Sequence, residues 1–343
     1  MKSLSFVSTQ MQLINCIEYI TENGIEENEI VFFAASQNRI RQILNVYNLS
    51  CNKCIFQSSH SFVFNGRYVY DVIVSLFLLM RVWWWTKTKK IDVCILGNYK
   101  ICYGRFFWYK KSKVKRVVVD DGLGTPIWYK IRYQRGYKGI SDLFYNNRFV
   151  RWLLKSREDK MFPDSVLFYS IYLNPLNKKD IAVLNRYNYL KKHHSQYPNS
   201  EIFRDANAVF LGQPFHTKNI VTYKRYNEYL RKASKLLGNH VIYYPHPEET
   251  SNEWMEDDIK QIYQYVPNTL SFEIYALGMK TGGIVASFQT SAQPILQKMC
   301  PDIRLMAVYV NEIDNIHTPY YEEMVDTYKY MEKIGIQVIR FSE

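Results

Sequence analysis

Apolar positions along the chain alternate between short continuous runs and stretches at helical spacing. Leu4-Ser5-Phe6-Val7 is a short run, broken by Ser8-Thr9-Gln10. Met11, Leu13, Ile14, Ile17 and Ile20 then recur with the period of a helix. The pattern predicts a strand over 29–33, a helix over 38–47 and a longer helix over 68–85. It then predicts a strand over 91–96 that ends in Gly97-Asn98, a helix over 99–108, and a strand over 116–119 that ends in Asp120-Asp121-Gly122. Buried strands alternating with helices argue for a parallel sheet covered on both faces.

From about residue 123 to residue 200 the rhythm breaks. This part is rich in Tyr, Asn, Lys and Arg. Asn174-Pro175-Leu176-Asn177 and Lys191-Lys192-His193-His194 read as connection rather than core. The rhythm returns with Ala208-Val209-Phe210-Leu211, which ends in Gly212-Gln213-Pro214. A helix over 222–237 follows, then a strand over 241–244 that ends in Pro245-His246-Pro247. Strands over 284–287 and 304–309, a helix over 320–334 and a strand over 337–341 complete the chain. The expected organisation is an N-terminal α/β domain over 1–160, an irregular connection over 161–200, and a C-terminal α/β domain over 201–343. The last helix is free to pack back on the first domain. The fold class is α/β: two doubly wound Rossmann-type domains facing a central cleft, a GT-B-like plan. Ligands of such sheets sit beyond the carboxyl ends of the strands, where the polar clusters of this sequence fall.

Composition narrows the class. The chain has 343 residues, 47% hydrophobic and 22% charged, which suits two folded domains and excludes a disordered chain. Its net charge of +12 favours anionic partners such as nucleotides or phospholipid headgroups. The basic residues are spread over both halves and form no recognised nucleic-acid module, so no nucleic-acid partner is expected. Lys87, Lys89 and Lys90 lie beside Trp83, Trp84 and Trp85. Lys110, Lys111, Lys113, Lys115 and Arg116 lie beside Phe106, Phe107, Trp108 and Tyr109. Two readings stay open for these segments: solvated loops next to buried strands, or a surface that rests on an anionic membrane. The 29 tyrosines likewise either stack on sugars or fill cores.

Residues 1–20 hold no continuous apolar core of a signal peptide, and the run over 72–85 is too short and too interrupted to span a bilayer. The expected location is therefore the cytoplasm, with the inner membrane face as a peripheral site. Cys51 and Cys54 form a lone CxxC pair with no second ligand pair, so all six cysteines read as reduced thiols.

Asp120 and Asp121 follow a predicted strand. Adjacent side chains project to opposite sides, so one carboxylate can face the cleft while the other ties down the loop. Gly122 allows a sharp turn. A cleft carboxylate suits general-base work on a hydroxyl, and an N-cap or turn role is the alternative. His246, fixed between Pro245 and Pro247 at a strand end, suits contact with a phosphate or its protonation; a structural turn histidine is the alternative. Glu273 at a helix start suits a ribose, or simply the helix dipole. Ser287, Thr290 and Ser291 follow a strand and suit an anion at a helix N-terminus, or plain capping. Gly282-Gly283 matches neither a P-loop nor a dinucleotide fingerprint. No metal and no cofactor is expected, since the aspartates are adjacent and no further ligand is evident.

In order, Asp120-Asp121-Gly122, His246-Pro247 and Thr290-Ser291 resemble the D/E-D/E-G, HP and Ser-Ser motifs of bacterial sialyltransferases. The opening Ser8-Thr9-Gln10-Met11-Gln12-Leu13 is similar to the Ser-Pro-Leu-Gln-Leu start of glycosyltransferase family 52 and of the related polysialyltransferases. The resemblance implies inverting, metal-independent transfer of sialic acid from CMP-sialate to a terminal sugar, with galactose expected, on a surface glycan or glycolipid. It implies that 1–160 is the acceptor side and 201–343 binds the nucleotide sugar, with Asp121 as base, His246 at the CMP phosphate, Glu273 at the ribose and Thr290 with Ser291 at the phosphate. Asp120, Gly122, Pro247, Ser287, Gly212, Gln10 and Asn98 join them as substrate-binding candidates. This sequence departs from the motifs in Thr290 for Ser and in lacking Pro after Ser8. Another nucleotide sugar on the same fold, or a non-catalytic basic membrane-binding protein, is the alternative function. A homodimer stays open.

Overall fold

The short run Leu4-Ser5-Phe6-Val7 can bury both faces only inside a sheet covered by helices, and it lies in the central strand of one. In the computed structural model of the chain, the described residues are 1–34, 37–51, 56–63, 68–99, 101–122, 125, 165–173, 179–196, 201–238, 240–249, 251–311 and 321–341. They divide into two compact units, Met1–Lys192 and His193–Glu343.

The first unit carries strands β1 (Lys2–Val7), β2 (Glu27–Ala34), β3 (Phe56–Val63), β4 (Val93–Leu96), β5 (Lys115–Val119), β6 (Leu167–Ser170) and β7 (Ile181–Leu184). They form one sheet in the order β3-β2-β1-β4-β5-β6-β7, and every described pairing is parallel. Its helices are α1 (Gln10–Glu22), α2 (Gln37–Cys51), α3 (Tyr68–Thr88) and α4 (Cys102–Lys110), and α5 (Asn188–His193) closes it. The core is apolar on both sides of the sheet: Leu4, Phe6, Ile30, Phe32, Ile95 and Val117 are fully buried.

The second unit has helix α6 (Glu201–Arg204), strand β8 (Ala208–Leu211), helix α7 (Tyr223–Leu237), strand β9 (Val241–Tyr244), helix α8 (Asp257–Ile262) and strand β10 (Tyr263–Tyr265). Helix α9 (Phe272–Ala276), strand β11 (Ile284–Ser287), helix α10 (Ala292–Met299), strand β12 (Arg304–Val308), helix α11 (Tyr321–Lys333) and strand β13 (Gln337–Ile339) follow. The strand order is β10-β9-β8-β11-β12-β13, again parallel throughout. In each unit the order reverses beside the first strand, between β1 and β4 and between β8 and β11. These are the switch points at which doubly wound sheets leave a crevice for ligands.

Two parts of the sequence expectation need correction. The region expected as irregular connection contains β6 and β7, which extend the first sheet, and the first unit runs to Lys192. β7 is a four-residue run set between Lys178-Lys179-Asp180 and Asn185-Arg186, and β6 falls in a tyrosine-rich stretch with no Gly or Pro at its end, so neither stands out as a strand. Asn174-Pro175-Leu176-Asn177 falls outside the described residues. The edge strands β3 (FQSSHSFV) and β10 (YQY) were also unexpected: one is largely polar and the other has three residues. Cys54 and the Cys51 side chain lie outside the described parts. Cys16, Cys94, Cys102 and Cys300 are free thiols.

Among the described residues, many tyrosines serve packing. Tyr19, Tyr169, Tyr187, Tyr226, Tyr243, Tyr263 and Tyr328 are among the largest fully buried side chains. Among the described residues no helix is long and apolar enough to cross a membrane.

Candidate functional site

At the switch point of the first unit, helix α1 starts from the pattern Thr9-x-x-Gln12, a capping box. The Thr9 hydroxyl accepts the Gln12 backbone N–H at 3.3 Å. The Gln12 side chain folds back so that its Oε1 accepts the Ser8 N–H at 2.7 Å and the Ser8 hydroxyl at 2.9 Å. Two donors on Oε1 fix the amide orientation, and Nε2 is left to donate to Asp121 Oδ1 at 2.6 Å. The other Asp121 oxygen accepts from Asn98 Nδ2, at the end of β4. Gly97 makes this approach possible: a Cβ there would lie 2.5 Å from Gln12 Oε1 and 2.7 Å from its Cβ.

Asp120 points the other way. It is fully buried, and its carboxylate accepts the Ser170 hydroxyl and, at 2.6 Å, the Ile171 N–H. The Asp120 side chain therefore joins the end of β5 to the end of β6. Burial pushes its carboxyl up to about 6, against the opposing effect of those hydrogen bonds. Gly122 follows at φ +58°, a left-handed conformation that suits glycine. Half-buried Asp121 is thus the aspartate aimed away from the core.

In the second unit, β9 lies beside β8 and ends in a tight turn. The Glu249 N–H donates to the His246 carbonyl at 2.8 Å, and Glu249 Oε2 accepts the His246 N–H at 2.7 Å. Glu249 Oε1 accepts the Tyr243 hydroxyl at 2.8 Å, and the Tyr243 and Tyr226 hydroxyls lie 3.0 Å apart. Gly212 at the end of β8 leaves room for this group: a Cβ there would lie 2.2 Å from Glu249 Oε2 and 2.4 Å from the Tyr243 hydroxyl. The half-buried His246 ring accepts the Glu248 N–H on Nδ1 at 3.2 Å. A neutral imidazole that accepts on Nδ1 carries its proton on Nε2, so this ring presents an N–H donor.

Beside Glu249 lies buried His216, with Nδ1 3.7 Å from Glu249 Oε1 and its ring 4.2 Å from that of Trp254. Burial moves both groups toward neutrality: Glu249 goes up to about 7 and His216 down to about 4. They are not an ion pair.

Ser287, Thr290 and Ser291 lie at the end of β11, next to β8 in the sheet. The Ser287 hydroxyl is fully buried and donates to the Leu211 carbonyl at 2.8 Å, which joins β11 to β8. The Thr290 hydroxyl accepts the Ala292 N–H at 3.3 Å, while Ser291 makes no side-chain capping bond at the start of α10. Glu273 sits in the first turn of α9. It is buried, and burial moves its carboxyl up to about 7. Pro247 is exposed beside His246. The expected residues thus divide between the units: Asp120, Asp121, Gly122 and Asn98 lie in the first, and Gly212, His246, Pro247, Glu273, Ser287, Thr290 and Ser291 in the second. Gln10, by contrast, is buried at the first position of α1, and the glutamine on Asp121 is Gln12. Glu249, Tyr243 and His216 were not expected. Among the described residues no group of three His, Cys, Asp or Glu side chains could hold a metal ion.

The buried carboxyls make a stability prediction. Asp120 stands near 6, and Glu18, Glu249 and Glu273 near 7, each raised by burial first. The folded protein holds these protons at a pH where the unfolded chain, at about 4, has lost them. Their stabilisation is complete below about pH 4 and is lost as pH rises through 6 to 7. The denaturation free energy from urea melts should therefore fall between about pH 5 and about pH 7.5. Glu273→Gln should flatten the fall by on the order of 2–3 kcal/mol. An unchanged pH dependence in that variant would mean that Glu273 titrates normally in the folded protein.

No family model matches the chain, and no curated protein matches it in sequence. Solved structures do match in shape. One is an α/β-galactoside α-2,3-sialyltransferase from the luminous marine bacterium Photobacterium phosphoreum, 11% identical, with 98% of each chain covered and a TM-score of 0.53. A second is TcCGT1 in complex with UDP, 10% identical, covering 100% of this chain and 86% of that one, with a TM-score of 0.55. A third is a 2,6-sialyltransferase from the Vibrionaceae bacterium Photobacterium sp. JT-ISH-224, in a ternary complex with CMP and lactose. It is 12% identical, covering 99% of this chain and 78% of that one, with a TM-score of 0.52. At such identities the likeness shows the fold: two parallel-sheet α/β domains of the GT-B type, each wound in the Rossmann manner.

Proposed function

We propose that this chain is a glycosyltransferase that moves sialic acid from CMP-sialate to a sugar hydroxyl of a glycan or glycolipid, without a metal ion and with inversion. The observation that carries the proposal is the geometry of two strand ends. Asp121 is held by two side-chain amides at the switch point of the first unit, and His246, at the end of β9 in the second, carries its ring N–H on Nε2. Both kinds of group are what such a displacement needs. The sialyltransferases among the structural neighbours support the choice of donor, as does the order of the Asp-Asp-Gly, His-Pro and Thr-Ser motifs.

In this reaction the acceptor oxygen bonds to the anomeric carbon as the bond from that carbon to the phosphate oxygen breaks. Asp121 takes the proton of the acceptor hydroxyl. The negative charge left on the phosphate meets the His246 Nε2–H and the N-terminal backbone amides of α10, which Thr290 and Ser291 precede. The Nδ1 contact matters here. To act as a general acid from the imidazolium form, His246 would have to break its bond with the Glu248 N–H. A neutral hydrogen-bond donor is therefore the role that fits this ring. Glu249 positions it by holding the His246 backbone. Glu273 serves the ribose hydroxyls. The +12 chain suits a donor with two negative charges near the reacting centre.

CMP is expected to raise the melting temperature of the purified protein, because a ligand bound only by the folded state stabilises it by about 2.7 kcal/mol at a hundredfold excess over Kd. EDTA should leave the shift intact. A shift that requires magnesium or manganese would overturn the metal-free mechanism. A larger shift with UDP than with CMP would move the donor to another nucleotide sugar on the same fold.

A further inference from the structure

Helix α3 buries one side and leaves the other apolar. Leu78, Leu79, Val82 and Trp85 are buried in the first unit. On the outward side Ile73, Phe77, Met80 and Trp84 follow one another at i, i+4, i+7 and i+11, the spacing of a single helical stripe. Trp83 stands beside them. These five side chains are between 49% and 62% exposed, and they are five of the eleven exposed large apolar side chains among the described residues. A soluble helix ordinarily turns charge to water on this side. Scattered exposed apolar side chains need no explanation, but a continuous stripe of them marks a contact surface.

The charge around the stripe decides what it contacts. Between residues 72 and 119 the sequence has eleven Lys or Arg and one acid, Asp92. Asp92 is itself engaged, its Oδ2 accepting the Lys2 backbone N–H at 2.9 Å. The stripe ends in its two tryptophans, and Lys87 and Lys90 stand exposed directly after them. The Lys111 ammonium donates to the Lys89 carbonyl, which brings the turn after α4, with exposed Lys110 and Lys113, against the same end of α3. An apolar stripe capped by tryptophan and flanked by lysines has the order of a helix lying in a membrane interface. Apolar side chains enter the acyl boundary, indole sits at headgroup depth, and ammonium groups meet lipid phosphate.

We infer that the outward side of α3, with Ile73, Phe77, Met80, Trp83 and Trp84, docks the protein on an anionic lipid bilayer, guided by Lys87, Lys90, Lys110 and Lys113. This deepens the glycolipid side of the proposed function, but binding can be read without donor or acceptor. The two ideas therefore fail separately.

The test uses the full chain and sedimenting vesicles, one set of phosphatidylglycerol mixed with phosphatidylcholine and one of phosphatidylcholine alone. The protein should sediment with the anionic vesicles, remain in solution with the neutral ones, and be released by salt. Phe77→Ser combined with Trp84→Ser should cut vesicle binding on the order of tenfold or more, since two inserted aromatics are lost. The exposed pair Lys87→Glu and Lys90→Glu should do the same without touching the apolar stripe. Both variants should keep the wild-type melting temperature and the CMP shift, because all four side chains are on the surface. Wild-type protein that ignores anionic vesicles would overturn the inference. So would a wild-type dimer in sedimentation velocity that the Phe77→Ser, Trp84→Ser variant breaks while vesicle binding is unaffected, since the stripe would then be the contact between two copies.

Discussion

His246→Ala is expected to lower turnover roughly 10²–10⁴-fold, the range for a lost acid or oxyanion partner, with donor affinity changed far less. The reason is when the charge develops. The phosphate in bound CMP-sialate is already stabilised by other donors, and its additional charge appears only as the bond to the sugar breaks, so the Nε2–H counts most in the transition state. The variant should stay folded. Alanine gives up the ring's 3.2 Å contact with the Glu248 N–H, but the link to Glu249 runs through the backbone N–H, which alanine keeps. The pH profile separates the two chemical roles. A neutral donor predicts turnover that holds as pH rises past about 6.5, the ordinary histidine value. A cationic acid predicts a loss there, through deprotonation. A folded His246→Ala enzyme with near-normal turnover would reduce the residue to a turn histidine between two prolines.

The strands around the switch points were legible because each is a short apolar run between helical patterns, and β4, β8 and β9 are followed at once by Gly or Pro. Val241–Tyr244 and Ile284–Ser287 fall where the pattern predicts them. The strand order was not legible from pattern alone, since it depends on which helices cover which face. β6 (LFYS) and β7 (IAVL) were lost for a local reason, since they lie in a stretch of Tyr, Asn and Lys without the helical patterns that frame the other strands. Inside the site the same contrast holds. Asp121, Asn98 and His246 are found by their place at strand ends, and the structure puts Asp121 and Asn98 in contact. Gln12 had a signal too, the Thr9-x-x-Gln12 capping box, but that pattern points to a helix start and says nothing of the Asp121 end of the amide. Glu249 had none: its value comes from burial under Gly212 and a carboxylate turned back to the His246 N–H, and neither shows in the string His246-Pro247-Glu248-Glu249.

Asp121→Asn is expected to cost a comparable factor, roughly 10²–10⁴ in turnover, if Asp121 is the base that takes the acceptor proton. An amide has the shape of the carboxylate but cannot accept that proton at neutral pH. The substitution is well suited to the surrounding network. Gln12 cannot reverse its amide, because its Oε1 already accepts two donors from Ser8, so it still offers Nε2–H to the position of Asp121 Oδ1. The new NH2 must then face Asn98, whose own amide can turn to present its oxygen. Both contacts survive the change, and the urea midpoint should move little. Loss of activity would therefore report on chemistry rather than on the loop. The CMP melting shift supplies the control: under the proposed function it reads the second unit and should be that of wild type. An Asp121→Asn enzyme with full turnover would move the base to another residue and leave Asp121 as the anchor between β1, β4 and β5. Gln12→Ala adds a graded check: it removes one of the two amides that hold the carboxylate, and it should lower turnover less than the loss of the carboxylate itself.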